Sequence, residues 1–137
     1  MRAARYLTLL LALAAPGAGA CGHCIEDKIA AVYDHAVITQ AQRERQIVMF
    51  YAIDGPSMAT DATRRALVAA AGAVAGIRPG SVRVSLELSA LSAAYDPRRT
   101  NLAAAERALA RKLKAKGYTL MLMRVLDEPA QSKAAAR

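Results

Sequence analysis

The sequence predicts an α+β fold in which one N-terminal helix precedes the order strand, helix, strand, strand, helix, strand. Three observations predict it. Apolar residues recur at helical spacing in three separate stretches, short runs of β-formers lie between them, and Gly-Pro, Pro-Gly and Asp-Pro pairs mark the joins. With 137 residues the chain has room for one such domain with short extensions and none for a second core.

The first helix is expected from Cys24 to about Arg45. Ile25, Ile29, Val32/Tyr33 and Ala36/Val37 fall at helical spacing, and Glu26 and Asp27 sit in the first turn, where acidic groups suit the macrodipole. The run from Gln46 to Asp54 is apolar without alternation, as in a strand covered on both faces. Gly55-Pro56 opens a loop, and Thr60 or Asp61 can cap the second helix, ATRRALVAAAGAV, which ends at Gly76 and the Pro79-Gly80 turn. From Ser81 the sequence alternates strictly, with Val82, Val84, Leu86 and Leu88 on one side, the pattern of a half-buried strand. Ala90 to Tyr95 is its hairpin partner, although alanine and serine favour strands poorly, and Asp96-Pro97 breaks it. The third helix spans about Asn101 to Lys116, with Leu102, Ala105, Leu109 and Leu113 on one face and Gly117 at its C-terminal end. The last strand runs from Tyr118 to Leu126, where Met121, Leu122 and Met123 read as core filler rather than a methionine metal box.

After the N-terminal helix this order is the ferredoxin-like β-α-β-β-α-β arrangement. That fold leaves one sheet face bare. Because the first and last strands are apolar throughout, something should cover it, either the N-terminal helix or a second subunit. The expected organisation is residues 1–20 as a signal peptide, 21–45 as the CGHC motif and helix, 46–127 as the domain and 128–137 as a disordered tail.

The opening residues place Arg2 and Arg5 ahead of an apolar run from Tyr6 to Ala15 and end in small residues, Ala18-Gly19-Ala20. This is the layout of a cleaved secretory signal, too short to span a membrane. Export to a periplasmic or envelope location is expected, with cleavage after Ala20. The formal net charge is +8, of which Arg2 and Arg5 supply two, so the cleaved chain would carry +6. Much of the surplus lies in Arg107, Arg111, Lys112, Lys114 and Lys116. A basic stripe without interleaved aromatics does not indicate nucleic acid. It reads as a solvated helix face, with an anionic membrane surface as the alternative contact.

The segment from about Ile47 to Leu126 resembles the heavy-metal-associated domain, the small module of copper chaperones and of the N-terminal repeats of P-type metal ATPases. Carrying the resemblance are Gly55 after the first strand, ATRRALVAAAGAVAG, IRPGSVRVSLELSALSAAYDPRRT, and above all "AAYDPRRT" followed by a helix and "KGY". The resemblance implies the ferredoxin-like fold and a Gly-Met-x-Cys-x-x-Cys loop whose two thiolates hold a soft ion at a helix start. Here the loop reads Gly55-Pro56-Ser57-Met58-Ala59-Thr60-Asp61. Met58 and Asp61 stand where the cysteines would be, and their unlike softness makes them a poor pair for one ion. The loop therefore reads as a degenerate site, with Asp61 as an N-cap.

The two cysteines lie elsewhere, in Cys21-Gly22-His23-Cys24. Similarity to the CGHC site of protein disulfide isomerases suggests a redox dithiol, and Cys24 opens a helix, but no thioredoxin-like β-α-β unit surrounds it. Lipidation of Cys21 fits Gly19 and Ala20 but not Ala18, where leucine is usual. A small surface disulfide is a further reading. If cleavage leaves Cys21 first, the free amine, two backbone amides and the third-residue His23 imidazole can form a square-planar nitrogen site for Cu(II), while Cys21 and Cys24 offer thiolates to Cu(I) or Zn(II). His35, about 16 Å along a continuous helix, stays outside this cluster.

The expected function is thus an exported metal-binding accessory of the copper or zinc class, with Cys21, His23 and Cys24 as ligands. The alternative is a non-metal interaction module, lipid-anchored if Cys21 is acylated, that engages a protein partner or a second copy through the open sheet face. No paired carboxylates, Ser/His/Asp set or phosphate-cradling loop points to an enzyme.

Overall fold

Two short helices, not one, open the described chain, for which a computed structural model gives residues 24–127. Helix α1 is Ile25–Val32 and α2 is His35–Arg43. The continuous helix expected over these residues breaks at Tyr33-Asp34 because the Asp34 carboxylate accepts from the amides of Ala36 and Val37 at 2.9 and 3.2 Å. An aspartate offering its side chain to backbone amides favours a helix start over a helix interior. The expected signal peptide at 1–20, residues Cys21 and His23, and the tail 128–137 lie outside the described residues.

Then follow β1 (Ile47–Asp54), α3 (Asp61–Gly72), β2 (Arg83–Ser85), β3 (Ala90–Tyr95), α4 (Leu102–Lys114) and β4 (Thr119–Leu126). The strands form one antiparallel sheet in the order β2-β3-β1-β4, so the fold is ferredoxin-like α+β with helices added in front. Strand β2 keeps only three residues of the alternating run. The Ser85 hydroxyl accepts from the Leu88 amide at 3.2 Å and Ser89 adopts φ +51°, which turns the chain where a longer strand was expected.

The alternation of β1 explains its unbroken apolarity. Met49, Tyr51 and Ile53 face α3 and α4, packing with Leu67, Ala71, Ala105, Leu109 and Leu113. Val48 and Phe50 face the other way, against Ile29, Val32, Ile38 and Ala41 of α1 and α2. The face that the fold would leave bare is therefore covered by the N-terminal helices. All six residues of β3 are buried, since it lies between β2 and β1 with helices on both sides. Its alanines suit this position, because Ala90 and Ala94 let the N-terminal helices approach closely.

Strand β4 is an edge strand and only half-buried. Leu122 packs against the α3/α4 core and Met123 against the α1/α2 cluster, but Met121 is 61 % exposed. The reading of all three residues as core filler is corrected for Met121, which lies on the part of the edge that the N-terminal helices do not cover.

Candidate functional site

The loop between β1 and α3 is shaped by backbone and aromatic packing rather than by ligands. Gly55 leaves room for the ring of Tyr118, whose hydroxyl donates to the Pro56 carbonyl at 3.0 Å. Beyond it, the amides of Ala59 and Thr60 donate to the carbonyls of Ser57 and Met58, each at 3.0 Å. Thr60 is the N-cap of α3, its hydroxyl accepting from the Thr63 amide at 3.1 Å. Asp61 is the first helical residue, not the cap it was expected to be. The threonine one residue earlier takes that role because its backbone is extended while that of Asp61 has entered the helix.

The residues standing where the resemblance implies ligands do different work. Met58 is 69 % exposed. The Asp61 carboxylate is held by Arg64 at 2.6 Å, and Arg64 reaches on to Glu87 at 2.8 Å. The Glu87 carboxyl is held below its ordinary range, first by its own backbone amide and then by the charge of Arg64. A lone thioether beside a carboxylate already satisfied by a guanidinium is not a donor set for a soft ion. Among the described residues, no group of three or more His, Cys, Asp or Glu side chains is placed to hold a metal.

Of the expected ligands Cys21, His23 and Cys24, only Cys24 is described. It is exposed and is the N-cap residue of α1, with extended backbone and no side-chain cap bond. Polar contacts tie α1 to the sheet. Lys28 Nζ donates to the Leu88 carbonyl at 3.0 Å, at the turn before β3, and the Val32 carbonyl accepts from Ser92 Oγ at 2.8 Å, further along β3. Glu26, in the first turn, accepts from Arg124 opposite Phe50 in mid-sheet, and the Lys28 side chain reaches the end of the sheet where β1 finishes and β4 begins, which is also the end carrying the loop of residues 55–60.

Two clefts open at this end. One, of about 380 Å³, includes Lys28, Asp54, Ser89, Thr119 and Met121. The other, of about 460 Å³, includes Asp54, Gly55, Ser57, Glu87, Ser89 and Tyr118. Asp54 and Ser89 belong to both. His35 opens α2 and is exposed, with its Nε2 3.4 Å from Thr39 Oγ1, so it joins no cluster.

Sequence reasoning missed Lys28 and Asp34, which fasten the N-terminal helices to the sheet. Asp34 could have been found, because an aspartate inside an apolar helical pattern is a ready N-cap. The long-range partners, the Leu88 carbonyl for Lys28 and Arg83 Nε for Asp34 at 2.9 Å, left no signal in local spacing.

No protein-family model matches the chain, and no curated protein matches it. Among solved structures it is similar to a copper binding domain from HMA7, a P-type ATPase, with a TM-score of 0.47 and 16 % identity over 58 % of this chain and 96 % of that one. It is also similar to CopZ metallochaperone, with a TM-score of 0.42 and 19 % identity over 54 % of this chain and 98 % of that one.

Proposed function

We propose that this protein is an exported, non-catalytic accessory that carries a heavy-metal ion, copper or zinc, on the segment of residues 21–24. The observation that supports this reading is the place of Cys24. An exposed thiol stands at the N-cap of α1, in the helix layer that covers the sheet, while Met58 and Asp61, in and just after the 55–60 loop, are unsuited to the task. Cargo handling would thus have moved from the loop to the N-terminal extension. Two thiolates suit Cu(I) or Zn(II), and the imidazole of His23 with a free N-terminal amine suits Cu(II).

The test is a stoichiometric titration of the reduced protein with Cu(I) and Zn(II), set beside a Cys21→Ser/Cys24→Ser variant. One ion held by the natural protein and lost from the variant supports the reading. Equal binding by both overturns it. An intact mass comes first, because acylation of Cys21 would turn its thiol into a thioether and block the amine.

A second reading is an interaction module without metal, which the loop favours, since its Met58 is a lone exposed thioether and the Asp61 carboxylate is already held by Arg64. Under it the titration finds no ion, and removing both cysteines leaves partner capture unchanged.

A further inference from the structure

Helix α4 buries Ala105, Leu109 and Leu113 against the sheet and turns Arg107, Arg111, Lys112 and Lys114 outward, with Lys116 just beyond its end. All five cations are exposed. Elsewhere five arginines are paired, Arg64 with Asp61 and Glu87, Arg78 with Glu44, Arg83 with Asp34, Arg98 with Asp96, and Arg124 with Glu26, while Arg43, Arg45, Arg65 and Arg99 are scattered singly or in pairs over other elements. Among the described residues no α4 cation forms an ion pair, and the helix carries one carboxylate, Glu106.

The spacing makes this arrangement unfavourable for the helix itself. Arg107 and Arg111 are four residues apart and Arg111 and Lys114 three, so like charges are neighbours on one face, which destabilises a helix. The macrodipole accounts for cations in the last turn, namely Arg111, Lys112 and Lys114. It does not account for Arg107 in the middle, for Lys116 past the end, or for the lack of any compensating acid on that face.

We propose that this face docks on anionic phospholipid headgroups at a membrane surface. A protein partner is the weaker fit, because protein interfaces are depleted in lysine and rest on apolar or aromatic anchors. The large exposed apolar side chains among the described residues are Ile25, Tyr33, Met58 and Met121, none of them on α4. Met58 lies two residues after Pro56, which packs near Gly117 just past the basic end of α4. Tyr118, just after Gly117, bonds to Pro56, which places the loop bearing Met58 beside the C-terminus of α4. Clustered cations with a flexible apolar side chain at their border suit a headgroup layer, where each cation adds to the attraction within a Debye length. No covalent step and no metal is involved.

The test uses the protein as purified from the expressing cell, in its natural processed form, and an Arg107→Glu/Lys112→Gln variant prepared in the same way. The introduced glutamate would stand four residues before Arg111, the favourable order for a helical ion pair, so the variant keeps or raises its melting temperature. Binding is read by cosedimentation with vesicles of phosphatidylcholine alone or with added phosphatidylglycerol, at low and high sodium chloride. The expected result is a preference for the phosphatidylglycerol vesicles of at least about tenfold in the natural protein, abolished by salt and lost in the variant. Because the readout is a ratio between vesicles, an N-terminal acyl chain on both proteins would not produce it. The same preference in both proteins, or none in either, overturns the proposal. Binding of the face to soluble polyglutamate with vesicles left at background would assign it to an acidic protein and overturn it equally.

Discussion

Gly55 and Tyr118 are packed so closely that a methyl group on Gly55 would stand 2.7 Å from Cε1 of the Tyr118 ring. No ordinary contact allows this, and the ring cannot withdraw freely because its hydroxyl is tied to the Pro56 carbonyl at 3.0 Å. The Gly55→Ala variant is expected to be destabilised by about 1–3 kcal/mol through overpacking. Tyr118→Phe, which keeps the ring and removes the bond, should cost about 0.5–1.5 kcal/mol. Urea denaturation of both variants checks this, and a neutral Gly55→Ala would mean that the loop can shift away from β4.

Ser92 is the buried polar fastening between the sheet and α1, beside the more exposed ties of Lys28 and Glu26. Buried in β3 at 2 % exposure, it donates to the Val32 carbonyl at 2.8 Å. A Ser92→Val change removes the donor, leaves that carbonyl without its partner and adds bulk beneath the helix, a loss of about 1–3 kcal/mol. The loss should be local. Hydrogen exchange of the α1 amides is expected to speed up far more than that of the β1 amides, because α3 and α4 hold β1 from the other face. Equal acceleration in both elements would show that α1 and the sheet unfold as one unit.

Much of this architecture is legible in local pattern. The continuous apolarity of Ile47 to Ile53 told of two covered faces, and the structure supplies them. Leu109 and Leu113 of α4 sit at the helical spacing that marks a buried stripe, and both are fully buried. Gly117 adopts φ +86° just past α4, where its position suggested a helix end. What spacing could not show are features decided by distant partners. Asp34 breaks a helix that its neighbours would continue, and its carboxylate meets Arg83, 49 residues away. Met121 looks like its neighbours Leu122 and Met123, yet it is exposed because β4 is the edge strand. That the loop at Met58 holds no cysteine was legible, since a missing thiolate can be read directly from sequence.

Acid should loosen the N-terminal helices through Asp34. Its carboxyl is held below the ordinary value of 3.8, first by the bond from the Val37 amide and then by Arg83. A group whose folded value is depressed contributes stability that is fully present above its unfolded value and is lost as the pH falls through the folded one. Unfolding temperature should therefore decline below about pH 4. An Asp34→Asn variant retains a capping oxygen without the charge, so its decline should be shallower. Some slope will remain, because Asp96, held low by Arg98, and Glu87 titrate in the same direction. Identical slopes in the natural protein and the Asp34→Asn variant would remove Asp34 from the acid response.

The proposed transfer of metal handling from the loop to the N-terminus separates two sets of variants. Met58 is a solvent-exposed thioether and Asp61 already serves Arg64, so Met58→Ala and Asp61→Asn should leave copper and zinc affinity unchanged. Asp61→Asn should cost a little stability at the start of α3, where the acid also faces the helix dipole. Cys24→Ser removes a soft donor and should weaken Cu(I) binding by about a hundredfold or more, given that even outer-shell partners of a metal carry factors of about 10–100. Competition titration against a chelator of known strength measures all three. Loss of affinity in the Met58 or Asp61 variants, with Cys24→Ser unaffected, would return the site to the loop and refute the N-terminal assignment. The opposite pattern would leave the ferredoxin-like body as a scaffold whose loop no longer holds the ion.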